Sequence, residues 1–422
     1  MPARKLNVGL LGCGTVGGGL VELVARNQAL IRQRSGVELN ISRILVRDTA
    51  KQRPGVPESL LTTHPEKVID NGCDVVVELV GGIEPARALI QRSLARRKHV
   101  VTANKALLAI DGFSLMKAAA LQSVRLGFEA SVCGGIPIVR ALREGLVGNR
   151  VESLSGILNG TCNYILTRMG EDGIDLDTAL RHAQDNGFAE ADPALDVDGF
   201  DAAQKLKILA ELALNVRIGV DAVRVQGIRD ITRDDLEHAS NLGFVIKHVA
   251  GAHTNNGGVA LSAEPMLLPR SHPLAAVNNE NNAVVVRGDA VGEVLFSGKG
   301  AGSLPSASAV LSDLVDIACH QGGFTASPDA KVAATQVVED ARYYVRFPVR
   351  ETTAIGSISD ILERNGIRVS RAAAIWARNG DGQHQVRLLT EACSRQRLDV
   401  AREDISRLPF AGGTSLALRI AD

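Results

Sequence analysis

The sequence predicts an α/β protein with a doubly wound first domain, an α+β second domain and a C-terminal ferredoxin-like module. Three observations carry that prediction. An apolar run at residues 5–11 passes straight into Gly12-Cys13-Gly14-Thr15-Val16-Gly17 and then a helical run to about residue 26. Buried-strand patterns recur near residues 40–46, 74–80 and 99–102, alternating with helical stretches. Near residue 340 the composition changes, and the element order becomes β-α-β-β-α-β.

The 422 residues suffice for two or three domains with sizeable cores. A formal net charge of zero gives no basic footprint for nucleic acid. The six cysteines (Cys13, Cys73, Cys133, Cys162, Cys319 and Cys393) form no C-x-x-C pair. They therefore suggest neither a zinc site nor a disulfide framework, and several, in apolar surroundings, read as small core residues in a reducing cytoplasm. No apolar run approaches membrane-spanning length, and no signal-peptide core is expected at the N-terminus.

In chain order, the first motif is G-x-G-x-x-G placed between a strand and a helix. The glycines permit a tight turn and close backbone approach, and the helix start faces a pyrophosphate. This is the Rossmann-type dinucleotide fingerprint; the bland alternative is a glycine-rich turn without a cofactor. The second strand ends near Arg47-Asp48, where an adenine ribose would lie. An acidic residue there favours NAD, whereas arginine accommodates the 2′-phosphate of NADP. Arg47 comes first, with Lys51 and Arg53 close by, so NADP is preferred and NAD stays open. The strand at 99–102 ends in Ala103-Asn104-Lys105, which puts Lys105 at the ligand crevice of such a sheet. A strand at 126–130 carries Glu129 and leads into Ser131-Val132-Cys133-Gly134-Gly135-Ile136-Pro137. Glu129 reads either as a hydrogen-bonded structural carboxylate or, with turned-in carbonyls, as a ligand for a hard monovalent cation.

The second domain begins with a strand near 151–158 and Asn159-Gly160-Thr161. Its centre is residues 187–205. Glu190, Asp192, Asp196, Asp198 and Asp201 precede Lys205, and Asp198 suits the N-cap of a helix reaching about residue 215. On that helix Asp201, Lys205, Ile208 and Leu212 share one face, while Gln204, Lys207 and Glu211 point away. Burial disfavours a charged ammonium and a carboxylate one turn earlier favours it, a combination suited to proton exchange. The alternative is a lysine that reaches water from the stripe's edge, paired with Asp201. Shorter β-like runs follow at 260–262 and 283–287. Gly298-Lys299-Gly300-Ala301-Gly302 then precedes a helix at about 305–320 that returns to the first domain. Beyond a polar junction at 327–340, strands are expected at 342–349, 367–370, 374–377, 385–390 and 415–420. The module's helices follow residue 353 and span about 394–404.

Together these motifs resemble homoserine dehydrogenase over essentially the whole chain, and the C-terminal module resembles an ACT domain. The matching segments are residues 12–17, Val101-Thr102-Ala103-Asn104-Lys105, 129–137, Asn159-Gly160-Thr161, 187–193 and 196–205. The resemblance implies interconversion of L-homoserine and L-aspartate 4-semialdehyde with NADP or NAD, on the branch to threonine, methionine and isoleucine. It implies Lys205 as the acid/base, helped by Lys105 and Asp201, with Glu190, Asp196, Asp201 and Lys105 binding substrate. Cofactor contacts fall on Gly12, Gly14, Thr15, Val16, Gly17, Arg47, Lys105, Gly187 and Gly302. Glu129 and the carbonyls of Val132, Gly134 and Ile136 match the family's sodium site, although the family usually has glycine where Cys133 stands. The implied domains are 1–135, completed by a helix at about 303–325, then 136–302, and the ACT module at 340–422.

A cytoplasmic homodimer or homotetramer joined mainly by the second domain is expected, with no membrane or nucleic-acid partner. Threonine is the usual effector at such modules. Thr352-Thr353 stands here where Pro-Gly is common, and two β-branched residues crowd that approach, so a working and a blocked effector site both stay open. Two rival readings are a non-catalytic sensor of NAD(P) and amino acids, and an oxidoreductase for another small amino-acid alcohol.

Overall fold

The structure, a computed structural model, describes residues 4–319 apart from 256–257, and 331–332, 340–351, 353–370, 375–378 and 384–421. Thr352, most of the junction at 327–340 and residues 371–374 lie outside the described residues. Packing divides the chain into two compact units. The first comprises residues 1–154, 204–221 and 282–333; the second comprises 155–203, 222–281 and 334–422.

The first unit is built on a six-stranded sheet of Arg4–Leu11, Val37–Leu45, Leu61–Thr62, Val75–Glu78, His99–Thr102 and Leu126–Gly127. Numbered along the chain, their order is 3-2-1-4-5-6, and every neighbour is parallel. That is the doubly wound order, with its switch point between the first and fourth strands. Val75, Val76 and Val77 are fully buried, as expected of a central strand covered on both faces. The helix Thr15–Ser35 follows the first strand and stops at Gly36, whose left-handed backbone (φ +69°) returns its N–H to the Arg32 carbonyl. The returning helix is Ser303–Cys319; its Ala307, Val310 and Leu314 join the same core as Leu20 and Val24.

Glu129 departs from expectation. The sixth strand stops at Gly127, and Glu129–Ser131 form a 3-10 turn. The chain leaves the sheet there because the Glu129 N–H donates to Asp313, while its own carboxylate turns back to the amides of Val139 and Arg140.

In the second unit a long antiparallel hairpin joins Phe244–Asn255 to Gly258–Pro269. Only residues 260–262 of it were expected from the sequence. The C-terminal strands lie in the order Leu416–Ile420, Tyr343–Val349, His384–Leu389, Ile375–Arg378, all neighbours antiparallel. In the module's own numbering this is 4-1-3-2, the ferredoxin-like arrangement. The helices Ala354–Arg364 and Arg395–Ser406 supply Ile358, Leu362, Leu398 and Ile405 to its core. Around residues 367–370 the expected strand shrinks to one bridge, Val369 to Thr390. The last strand also runs parallel to the hairpin, pairing Met266 with Arg419 and Leu267 with Ile420. Asp235, fully buried, accepts from the Tyr344 hydroxyl and pairs with Arg346. The C-terminal module is thus continuous with the hairpin's sheet.

Candidate active site

In the first unit the glycine loop has the geometry its sequence requires. Gly12 has φ +101°, and a Cβ there would lie 2.7 Å from the Leu79 carbonyl oxygen. A Cβ on Gly17 would lie 2.7 Å from the Gly12 carbonyl oxygen. Gly14 differs: nothing stands within 4 Å of its added Cβ, and it is the N-cap of the helix with no side-chain cap. The loop is tight where it touches the sheet and open where a diphosphate would approach the first helical turn. Thr15 is exposed; its carbonyl accepts the Ser303 hydroxyl at 2.8 Å, which ties the returning helix to this loop beside Gly302 (φ +125°).

The second strand ends at Leu45, two residues before Arg47, which is exposed. Asp48, also exposed, caps the Ala50 N–H at 2.8 Å, and Arg53 donates to the Asp48 and Lys51 carbonyls. Arg47 and Lys51 therefore stay available to an anion.

Lys105 is the first residue of the helix Lys105–Leu121 and is half-buried. Asn104 caps that helix, its side-chain oxygen accepting from Leu107 N–H. Asn104 is in turn linked to Gly82, Thr102 and, through Thr102, Glu78.

Glu129 is buried, and its two carboxylate oxygens each accept a backbone N–H at 2.8 Å. Burial pushes it above the usual carboxylate range, against those two bonds. The adjoining loop turns through Cys133 (φ +53°) and Gly134 (φ +34°), so Cys133 adopts the left-handed backbone that glycine takes freely. A Cβ on Gly134 would strike the Gly300 carbonyl at 2.6 Å. Beneath this loop lies a group the sequence reading missed. Asp313 is pushed up to about 7, first by burial and then by Glu129 as its neighbour. Asp316, one helical turn on, pairs with Arg125 and Arg140, each at 2.9 Å.

In the second unit the five carboxylates of residues 190–201 separate into different roles. Asn159 caps the helix Gly160–Asp172 through its oxygen, and its amide donates to Asp196 at 2.7 Å and Asp201 at 2.8 Å. Two carboxylates expected at the site are thereby held on one neutral donor. Thr161 adds a hydrogen bond to the Phe188 carbonyl at 2.6 Å, fixing the segment before Glu190. Glu190 is exposed, with its carbonyl held by Gln184; Gly187 has φ +73°. Asp192 caps the Ala194 N–H. Asp198 does not cap the lysine-bearing helix as expected: its carboxylate pairs with Arg229, and the helix Phe200–Leu214 starts after Gly199 (φ +87°). A Cβ on Gly199 would sit 3.0 Å from His248 Nε2, so His248 packs directly under the turn that launches the helix.

On that helix Asp201 is 4% exposed and Lys205, one turn later, is half-buried. The expected polar face needs correction. Lys207 is only 7% exposed, bonded to Glu211 at 2.7 Å, and Glu211 also accepts from Ile218 N–H. The helix is buried on more than one side, and this pair is satisfied internally.

A switch-point sheet with a glycine loop shaped for a pyrophosphate and a lysine at the strand ends defines a dinucleotide-binding protein. Family models described as "Homoserine dehydrogenase, NAD binding domain" and "Homoserine dehydrogenase" match residues 12–129 and 137–315. The homoserine dehydrogenase of Synechocystis is 39% identical, with 96% of each chain covered. That of Bacillus subtilis is 44% identical over 74% of this chain and 73% of its own. The crystal structure of a homoserine dehydrogenase from Thiobacillus denitrificans superposes with a TM-score of 0.91 at 38% identity, covering 100% of this chain and 99% of that one. The chain belongs to the homoserine dehydrogenase family. Its reaction is the NAD(P)-dependent interconversion of L-homoserine and L-aspartate 4-semialdehyde.

Proposed function

We propose that Lys205 exchanges the proton of the reacting oxygen in this reaction. The observation behind the reading is the Asn159 amide, which holds Asp196 and Asp201 at the head of the helix on which Lys205 stands one turn later. Bound nicotinamide supplies the hydride acceptor or donor. Lys205 takes the hydroxyl proton as homoserine is oxidised, and returns a proton to the aldehyde oxygen in reverse. Glu190, Asp196 and Asp201 match the substrate ammonium, and Lys105 matches its carboxylate beside the cofactor. Lys205→Ala should lower kcat by about 100-fold or more with NADPH affinity nearly intact. Activity within a few-fold of the parent enzyme would remove the assignment. The assay itself, absorbance of the reduced cofactor with homoserine, also separates turnover from a merely sensing role.

Gly12, Gly14, Thr15, Val16, Gly17, Arg47, Lys105, Gly187 and Gly302 would contact the dinucleotide. The exposed Arg47, with Asp48 occupied by Ala50, supports a preference for NADP. A hyperthermophilic archaeal homoserine dehydrogenase mutant that superposes with a TM-score of 0.63 at 27% identity was solved in complex with NADPH. Glu129 and the carbonyls of Val132, Gly134 and Ile136 would hold a sodium ion. The donor set fits, since each Glu129 oxygen keeps a lone pair beyond its backbone bond and a single negative charge suits a monovalent cation. A homodimer or homotetramer acting in the cytoplasm, with the ferredoxin-like module serving as an ACT domain for threonine, completes the reading. No helix among the described residues is long and apolar enough to cross a membrane.

A further inference from the structure

We propose that Glu78 and Thr102 are positioning residues for Lys105, locking two loops at the carboxyl edge of the sheet into one frame. The proposal rests on the reading of Lys105 as a cofactor and substrate contact. Glu78 ends the fully buried strand Val75–Glu78, on the switch-point side of the sheet, and is itself 0% exposed. A carboxylate there carries a large desolvation cost unless its oxygens are satisfied. They are. Oε1 accepts the N–H groups of Val80 and Gly81 at 2.8 and 2.9 Å, and Oε2 accepts the Thr102 hydroxyl at 2.6 Å.

The chain of bonds continues in one direction. Thr102 is the register partner of Glu78 on the neighbouring strand and is also fully buried. Its hydroxyl gives its only proton to Glu78 and accepts the Asn104 N–H at 3.0 Å. The Asn104 amide donates to the Gly82 carbonyl at 2.6 Å, and its oxygen caps the helix that Lys105 begins. Glu78 thus holds residues 80–81 directly, and through Thr102 and Asn104 it holds residue 82 and the start of the lysine helix. Gly81 and Gly82 both take left-handed backbone, at φ +75° and +71°, with open space around each. Crowding does not impose that curl; the carboxylate that collects the N–H groups of residues 80 and 81 stabilises it. A structural carboxylate would need only to be satisfied. This one spans two strand ends on the edge where ligands bind.

The test uses the full-length enzyme. Glu78→Gln cannot accept the Thr102 proton with its amide nitrogen, and Thr102→Val removes the hydroxyl with almost no change of shape. Each should lower kcat/KM for homoserine tenfold or more while the melting temperature moves by only a few degrees. Thr102→Ser, which keeps the hydroxyl, should return kcat/KM to within about threefold. A double-mutant cycle of Thr102→Val with Lys105→Ala, read on kcat/KM and on NADPH Kd by fluorescence titration, should be strongly non-additive. Folded single variants with unchanged kcat/KM, failure of both to fold, or additive losses in the cycle would overturn the proposal. Lys105→Ala with unchanged kcat/KM and Kd would instead remove the reading of Lys105 on which it stands.

Discussion

His248 offers a direct test of how the turn before the lysine helix is held. Its ring is buried beside Gly199, and Nε2 lies 3.1 Å from the Gln226 carbonyl. Burial pushes the imidazole down to about 4, against the pull of that carbonyl and of the Glu264 and Asp201 carboxylates. The sign follows from proton counting. Between about pH 6.5 and 4 the unfolded chain binds a proton here that the folded chain refuses, so stability is complete above that window and falls as pH drops through it. For a single group moved from 6.5 to 4, the loss between pH 7 and pH 5 is about 2 kcal/mol. Urea unfolding at pH 7 and pH 5 should show that loss in the parent protein beyond whatever a His248→Gln variant shows, because glutamine can donate to Gln226 but does not titrate. An equal pH-dependent loss in both proteins would mean that His248 is protonated in the fold, and the reasoning would fail.

Other outcomes follow from the same geometry. Arg47→Ala should raise the KM for NADP about tenfold or more and leave that for NAD within about threefold, since only NADP carries the extra phosphate; equal losses for both cofactors would remove the preference. Arg346→Met removes the charge partner of the fully buried Asp235, leaving its Tyr344 and Thr232 hydrogen bonds, and should cost about 3–5 kcal/mol in urea unfolding. For the same reason a chain ending near residue 338 should unfold or aggregate, because it also uncovers the hairpin edge at Met266 and Leu267; a stable, soluble truncated enzyme would contradict this. Threonine titration therefore belongs on the full-length enzyme, where inhibition at millimolar effector or below would show that the Thr352-Thr353 pair does not block the module's site.

The first unit was legible because its signals are local. A strand, a glycine turn and a helix in immediate succession determine each other's geometry, and the parallel order follows from the alternation of elements. The C-terminal topology was legible for the same reason. The hairpin Phe244–Asn255 was not, because Lys247 and His248 interrupt its apolar pattern. Both are buried: Lys247 donates to the Val277 carbonyl and Asn278, and His248 contacts Gln226. Those partners are distant in sequence, so no window of residues could have announced them. Asp313 was hidden in the same way, since its neighbour Glu129 lies in a separate stretch of chain.

The lysines show where sequence reasoning about a site is weakest. Lys205 drew attention as a charge on an apolar helical stripe. Yet Lys207, assigned to the polar face, is more deeply buried, and so is Lys247. Both have structural explanations: Glu211 for one, two carbonyl-type oxygens and Asn163 for the other. Burial of an ammonium is therefore a poor discriminator in this chain. What sets Lys205 apart in its proposed role is company that the sequence did display, the carboxylates of residues 190–201, sorted by Asn159 through bonds that the sequence did not display. Asn159 converts an acidic stretch, which by charge alone would repel itself, into two carboxylates fixed on a shared donor. Asp192 and Asp198 are drawn off to a turn and to Arg229. On the proposed reading of the site, the neutral groups that hold the charges in place count for as much as any one charged side chain.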